Sequence, residues 1–99
     1  MHREIVWSPL AEKDLGNILE YLHENWNQKV IIRFLNKIDI ATNQIAKIPN
    51  QYPIINRKLQ VRKCVVTKQN TLFYREVEKQ IEVLRLYDTR QDPKKLKFI

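Results

Sequence analysis

The change from a strand pattern to a helix pattern lies in residues 3–15, REIVWSPLAEKDL. Polar and apolar side chains alternate from Arg3 to Trp7, which is typical of a short strand. Ser8 is a good helix N-cap, and Pro9 at the first helical position costs no backbone hydrogen bond. The segment therefore predicts a strand that leads directly into a helix.

Two apolar stripes at helical spacing follow this segment. The first predicts a helix from about Pro9 to Asn25, with Asp14 near the positive end of its dipole. A turn at residues 25–27 separates it from a second helix that ends at Pro49. Two helices joined by so few residues pack antiparallel and form a hairpin. The stripes consist of Leu15, Ile18, Leu19, Leu22 and Trp26 in the first helix, and of Ile31, Phe34, Leu35, Ile38, Ala41, Ile45 and Ile48 in the second.

Three strand patterns fill the second half of the chain. Residues 49–60 have no clear period and are predicted to form a loop, and strands are predicted at Val61–Thr67, Leu72–Val77 and Ile81–Tyr87. Short polar connections of this kind join antiparallel hairpins. The third strand has apolar side chains on both of its alternating faces, which indicates a central strand covered on both sides. The sequence thus predicts an α+β fold of order β-α-α-β-β-β, with a helical hairpin on a small, mainly antiparallel sheet that the first strand joins at one side.

The composition favours one domain spanning residues 1–99 in a cytoplasmic protein. Cys64 is the only cysteine, so no intramolecular disulfide can form, and a buried structural thiol is the favoured interpretation. His2 and His23 lack partners at metal-ligand spacing, so neither a metal nor a cofactor is predicted. No apolar run approaches the ~20 residues that span a bilayer, and the first residues show no signal-peptide pattern.

The net charge of +7 is unevenly distributed along the chain. Residues 1–50 hold six Lys/Arg and six Asp/Glu, whereas residues 51–99 hold twelve and five. One interpretation is a positive surface that binds an anionic partner, and the other is a solvated sheet edge guarded by lysines. The candidate binding residues are Arg57, Lys58, Arg62, Lys63, Arg75, Arg85, Arg90, Lys94 and Lys95.

Two of these arginines have specific local alternatives. Arg85 has apolar neighbours on both sides, so we expect it either to pair with a carboxylate or to face a partner. Arg90 lies between Asp88 and Asp92, and this trio either holds the chain end through local hydrogen bonds or contacts a target.

In the order and spacing of its motifs the chain resembles the RelE/ParE superfamily of toxins of type II toxin–antitoxin systems. The similarity covers nearly the whole length, and the ParE-like branch is favoured. Residues 7–15 look like the family's change from strand to helix. The stretch 18–21 followed by Trp26 is similar to the first long helix and inter-helix turn of the ParE branch. Residues 72–75, LFYR, resemble the middle strand, and residues 87–93, YDTRQDP, resemble the C-terminal signature.

The resemblance implies a toxin that inhibits growth, with a cognate antitoxin as partner. A ParE-like member binds and poisons DNA gyrase and has no catalytic site of its own, and this is the favoured interpretation. The alternative is a RelE-like endonuclease that cleaves mRNA on the ribosome, for which Arg62 and Arg90 would be the catalytic residues. However, Cys64 and Thr71 occupy positions where the nuclease pattern has Lys and Arg, and no tyrosine follows Arg90.

Two further expectations depend on the fold. A non-toxic nucleic-acid-binding module of the same fold would need exposed aromatic side chains, and Phe73 and Tyr74 have opposite parity, so at most one could supply such a platform. The apolar residues Leu96, Phe98 and Ile99 either pack on the domain or help form a groove that the antitoxin covers.

Overall fold

The computed structural model of the chain describes residues 3–92, 94 and 96–98. The predictions that involve His2, Pro93, Lys95 and Ile99 fall outside these residues. The elements are β1 (Glu4–Trp7), α1 (Pro9–Asn25), α2 (Gln28–Lys47), a 3₁₀ turn (Pro49–Gln51), β2 (Ile54–Asn56), β3 (Val61–Val65), β4 (Asn70–Val77) and β5 (Gln80–Asp88). The strands form one sheet in the order β1-β5-β4-β3-β2.

Both helices begin at the side-chain caps that their sequences supply. The hydroxyl of Ser8 accepts a hydrogen bond from the Ala11 N–H (3.1 Å), and the Asn27 side chain accepts one from the Val30 N–H (3.2 Å). The placement of Trp26 on the first apolar stripe is wrong. Its backbone is extended, with φ −134° and ψ −165°, so the side chain leaves the helical direction and is 60% exposed.

The sheet is mixed and mainly antiparallel, as predicted. β1 lies parallel to β5, while β2, β3, β4 and β5 form antiparallel pairs. The prediction that residues 49–60 form a loop is wrong in part, because Ile54–Asn56 adds an edge strand along β3. A strand of three residues is too short to leave a period in the sequence, and only its pairing with β3 defines it.

Apolar side chains cover both faces of the sheet. The face under the helices holds the larger cluster, in which Tyr74, Ile81 and Val83 are fully buried. On the opposite face, Leu96 and Phe98 pack over Val61, Phe73, Leu84 and Tyr87. The ring centroids of Phe98 and Phe73 lie 5.3 Å apart in an edge-on arrangement. The C-terminal residues that the structure describes therefore pack on the domain, and β5 is covered on both faces, as predicted.

The N-terminal turns of α1 complete the outer edge of β5. β1 pairs with β5 only as far as Val83, and the edge of β5 beyond that point has no strand beside it. Ser8 donates from its backbone N–H to the Val83 carbonyl and from its hydroxyl to the Leu84 carbonyl, both at 2.9 Å. The carboxylate of Asp14 accepts from the Leu86 N–H at 3.1 Å. The N-cap residue and a side chain of α1 thus take the place of a neighbouring strand. The backbone groups of β5 at this edge therefore have hydrogen-bond partners.

An ion pair reinforces this contact between α1 and the outer edge of β5, which we call the seam. The guanidinium of Arg85 donates to both carboxylate oxygens of Asp14, at 2.7 and 3.0 Å. Both side chains are only 15% exposed. This pairing matches the first of the two alternatives for Arg85, a carboxylate partner. A β-bulge at Leu84, where Val83 faces Tyr74 and Arg85 faces Phe73, turns the Arg85 side chain toward the helix.

Within the described part of the chain, no helix combines the length and the apolar character needed to cross a bilayer.

We predict that the substitution Asp14→Asn lowers the free energy of unfolding by about 2 kcal/mol, measured by urea denaturation. The amide keeps the size of the carboxylate but leaves the largely buried Arg85 guanidinium without a counter-charge. The control is Glu76→Gln, which breaks the more exposed Arg3–Glu76 pair and should cost less than about 0.5 kcal/mol. Equal effects of the two substitutions would show that the seam does not depend on this charge.

Candidate functional site

A cleft of about 450 Å³ lies between the two helices, the β3–β4 turn and the end of β5. We call it the hairpin cleft. Its walls are one face of α1, one face of α2 and the ends of two strands, and its lining consists of Asp14, Asn17, Ile18, Tyr21, Leu22, Val30, Arg33, Phe34, Lys37, Thr67, Gln69, Asn70, Leu86, Asp88, Arg90 and Gln91.

Helical spacing explains how an apolar floor and a charged rim come together. Phe34 is buried in the core, whereas Arg33 and Lys37 are exposed and lie one turn apart on α2. Residues four apart on a helix share a face, so both cations border the same cleft. These two residues are not among the sequence-predicted binding residues, because the excess of positive charge lies in the second half of the chain. Their signal was the i, i+4 pair of cations beside the apolar stripe.

Arg90 brings a third cation to the cleft from the opposite wall. Its guanidinium donates to both oxygens of Asp88, at 3.0 and 2.7 Å, and its backbone N–H donates to the same carboxylate at 2.9 Å. These hydrogen bonds hold the pKa of Asp88 below its usual value. The Arg90 side chain remains 58% exposed, so it can still bind a second anion.

The positive charge of the cleft is only partly compensated. Its two lining carboxylates, Asp14 and Asp88, are held by Arg85 and Arg90 respectively. No described carboxylate forms an ion pair with Arg33 or Lys37. The cleft is therefore an electropositive site with an apolar floor.

A second basic group lies at the other end of β3. Arg57 and Lys58 are exposed in the turn before the strand, and Lys63 is exposed on it. Arg62 instead points to the backbone, where its guanidinium donates to the carbonyls of Tyr52 (2.6 Å) and Asn50 (3.3 Å). We call Arg57, Lys58, Arg62 and Lys63 the β3 basic group.

The structure does not bring Arg62 and Arg90 together. Arg62 faces Tyr74 of β4, whereas Asp88, two residues before Arg90, faces Asn70 at the start of β4. The four residues from Asn70 to Tyr74 correspond to about 13 Å along a strand. The two guanidinium groups are also held by different acceptors, the Tyr52 carbonyl for Arg62 and the Asp88 carboxylate for Arg90.

The remaining predicted binding residues have different surroundings. Arg75 forms an ion pair with Glu82 (2.8 Å) on the neighbouring strand. Arg85 belongs to the seam with α1 and also donates to the Lys97 carbonyl at 2.8 Å. Lys94 is exposed near the chain end, and Lys95 lies outside the described residues.

The local arrangement of the Asp88, Arg90 and Asp92 trio matches the first of its two alternatives. Besides the Arg90–Asp88 pair, the Asp92 side chain accepts from the Lys94 N–H at 3.0 Å, and the Tyr87 hydroxyl donates to the Asp92 carbonyl. These bonds fix the turn that follows β5. They leave the exposed part of Arg90 on the cleft side.

Cys64 is buried between the sheet and the helices, as predicted. Burial raises the pKa of its thiol. Burial, together with the neighbouring Cys64, also raises the pKa of the Tyr52 hydroxyl to about 12. Tyr74 is buried beside them and donates its hydroxyl to the Pro49 carbonyl at 2.5 Å. These groups are structural, and no three His, Cys, Asp or Glu side chains within the described ranges converge to hold a metal.

We predict that native Cys64 reacts with iodoacetamide at pH 8 at least about tenfold more slowly than an exposed thiol, because burial blocks access and raises its pKa. The matched control is the double variant Cys64→Ala, Val65→Cys, which moves the thiol to the exposed neighbour on the same strand. Both thiols should react alike in urea. Equal rates in the native proteins would contradict a buried, protonated thiol.

The comparisons with known proteins agree with this architecture. Residues 5–93 match the model of a family described as the ParE toxin of the type II toxin–antitoxin system parDE. A chain of the chromosomal ParDE system from P. aeruginosa has a TM-score of 0.73 and 17% identity, covering 88% of this chain and 96% of that chain. The YoeB/ParE toxin from Agrobacterium tumefaciens has a TM-score of 0.61 and 15% identity, covering 86% and 97%.

A copper-bound mutant toxin from Helicobacter pylori also shares the fold, with a TM-score of 0.57, 14% identity and coverage of 89% and 96%. No match was found among curated protein sequences. At these identities the solved structures establish the fold alone, whereas the family model covers most of the chain. The resemblance inferred from the sequence is therefore confirmed, and the chain belongs to the family of ParE toxins of type II toxin–antitoxin systems.

Proposed function

We propose that this toxin arrests growth by binding and poisoning DNA gyrase in the cytoplasm, and that it has no catalytic site of its own. The observation that carries the proposal is the separation of Arg62 from Arg90. These are the two basic residues that match the nuclease pattern, and each guanidinium is held by its own hydrogen-bond acceptors.

Cleavage of RNA would require more than these two residues can supply. The reaction must activate a 2′-hydroxyl, stabilise charge on a phosphate and protonate a leaving oxygen at one place. Arg62 donates to backbone carbonyls, and Cys64 and Thr71 are buried where the nuclease pattern has cations. Loss of members of a cooperative site removes most of its rate, so a role in protein binding is favoured.

The β3 basic group suits a protein partner. Its members Arg57, Lys58 and Lys63 are exposed cations around one end of β3. Membership of the family implies a cognate antitoxin. We propose that an acidic antitoxin segment binds the β3 basic group, because opposite charge favours association of a segment that folds on binding. Arg90, Lys94 and Lys95 are assigned to contacts with the target or the antitoxin. Arg75 and Arg85, which are engaged in ion pairs, support the surface beside them.

The effect of a brief induction in bacteria distinguishes the two targets. We expect incorporation of labelled thymidine to fall before that of labelled leucine, because a gyrase poison blocks replication first. The purified toxin should also make gyrase accumulate cleaved DNA. Cells that co-express the antitoxin are the control and should show neither effect. An earlier fall of leucine incorporation, with cleavage of ribosome-bound mRNA, would instead establish the RelE-like activity.

The role of the β3 basic group is tested by antitoxin binding. We expect Lys63→Glu to weaken the complex about tenfold at low salt and less at high salt, because the lost contact is electrostatic. Lys79→Glu is the control, since it makes the same charge change in the exposed β4–β5 turn. Arg62→Glu should weaken binding further but also removes the contacts to Tyr52 and Asn50. Unchanged affinity of the Lys63 variant in calorimetry would rule this surface out.

A further inference from the structure

The size of the hairpin cleft suits a small ligand. Its volume of about 450 Å³ falls within the range of roughly 300–1,000 Å³ that small-molecule sites occupy. The floor is apolar, formed by Ile18, Leu22, Phe34 and Leu86, and the polar groups lie around it. This combination of an apolar base with a few convergent polar groups is typical of a binding pocket.

The charge of the cleft selects an anion. Arg33 and Lys37 have no ion-pair partner among the described carboxylates, and Arg90 keeps more than half of its side chain exposed. Asp14 and Asp88 do not oppose an anion, because each is already bound by an arginine. A phosphate group can accept hydrogen bonds from several such cations at once.

The other walls of the cleft suit a flat ring. Tyr21 is 48% exposed, borders the cleft and lies beside Arg90, and an aromatic side chain of this kind can stack on a base. The side-chain amides of Asn17, Gln69 and Gln91 border the same space. Amides both donate and accept, and can pair with the edges of a nucleobase.

A stiff turn holds one of these walls in place. The hydroxyl of Thr67 donates to the Asn70 side chain at 2.9 Å and accepts from the N–H groups of Gln69 and Asn70 at 3.1 Å. The Thr89 N–H donates to the Gln69 carbonyl at 2.7 Å. The wall is therefore formed before a ligand arrives.

We propose that the hairpin cleft binds a nucleoside monophosphate, with its phosphate at Arg33, Lys37 and Arg90 and its base against Tyr21 and the apolar floor. Cations on two facing walls, together with an aromatic ring and side-chain amides around the same space, match a ligand that has one anionic end and one flat end. This site is separate from the β3 basic group and does not depend on gyrase being the target.

The test is a titration of the isotope-labelled toxin with AMP, GMP, CMP and UMP, followed in ¹H–¹⁵N correlation spectra. With at least one nucleotide we expect saturable shifts confined to residues 14–22, 30–37, 67–70 and 86–91, at concentrations up to about 10 mM, which detect a millimolar dissociation constant. Inorganic phosphate and the free nucleosides should bind at least about tenfold more weakly, because phosphate lacks the base and a nucleoside lacks the anionic group.

Two double variants that each remove two positive charges from α2 distinguish binding in the cleft from nonspecific electrostatic attraction. The double substitution Arg33→Gln, Lys37→Gln should weaken nucleotide binding at least about tenfold. The control, Lys29→Gln with Lys47→Gln, removes two exposed charges from the same helix outside the cleft and should change affinity less than about twofold. Tyr21→Leu should weaken nucleotides but not phosphate. Well-dispersed spectra of each variant exclude unfolding as the cause.

Three outcomes would overturn the proposal. Equal affinity for phosphate and nucleotides would mean that the base makes no contact. Shifts produced by a glutamate-rich peptide but not by nucleotides would mean that the cleft takes polypeptide carboxylates. No confined shifts at the highest concentration would mean that it is not a nucleotide site. Because the titration contains only the toxin, a negative gyrase assay would leave this result unaffected, and the reverse also holds.

Discussion

The fold of this ParE-family toxin depends on the seam between α1 and the outer edge of β5. β1 covers that edge only as far as Val83, and the groups beyond it would be unsatisfied without another partner. Ser8 and Asp14 supply that partner from the first turns of α1. A helix that must meet a strand edge through two side chains has little freedom to rotate or slide. The seam therefore fixes how the hairpin sits on the sheet.

Arg85 extends this constraint to the second face of the sheet. Two of its nitrogens bind Asp14 on the helix side, and the third donates to the carbonyl of Lys97 in the C-terminal segment. Leu96 and Phe98 then cover the apolar face around Phe73. One guanidinium thus connects the hairpin, the central strand and the chain end. The same geometry places Asp14 in the wall of the hairpin cleft, already neutralised, so the cleft keeps its positive character.

The distribution of cations is informative for function. A nuclease needs its basic groups around one phosphate, whereas here they form two groups at opposite ends of β3 and β4. Separate groups suit separate partners, and a toxin that must be neutralised until needed has at least two, its target and its antitoxin. Since the β3 basic group and the hairpin cleft share no residue, the antitoxin segment proposed for the first and the nucleotide proposed for the second need not compete.

The sequence alone determined what depends on local pattern. The cap at Ser8, the two apolar stripes apart from Trp26 and Ile48, and four of the five strands follow from spacing and turn chemistry, and a carboxylate partner was one of two alternatives for Arg85. Only the tertiary structure decided which carboxylate, because Asp14 lies 71 positions away along the chain. β2 likewise exists only through its pairing with β3. The cleft was hidden for the same reason: Arg33, Lys37, Tyr21 and Arg90 meet only where four separate elements converge, and side-chain spacing within one element carries no record of the others.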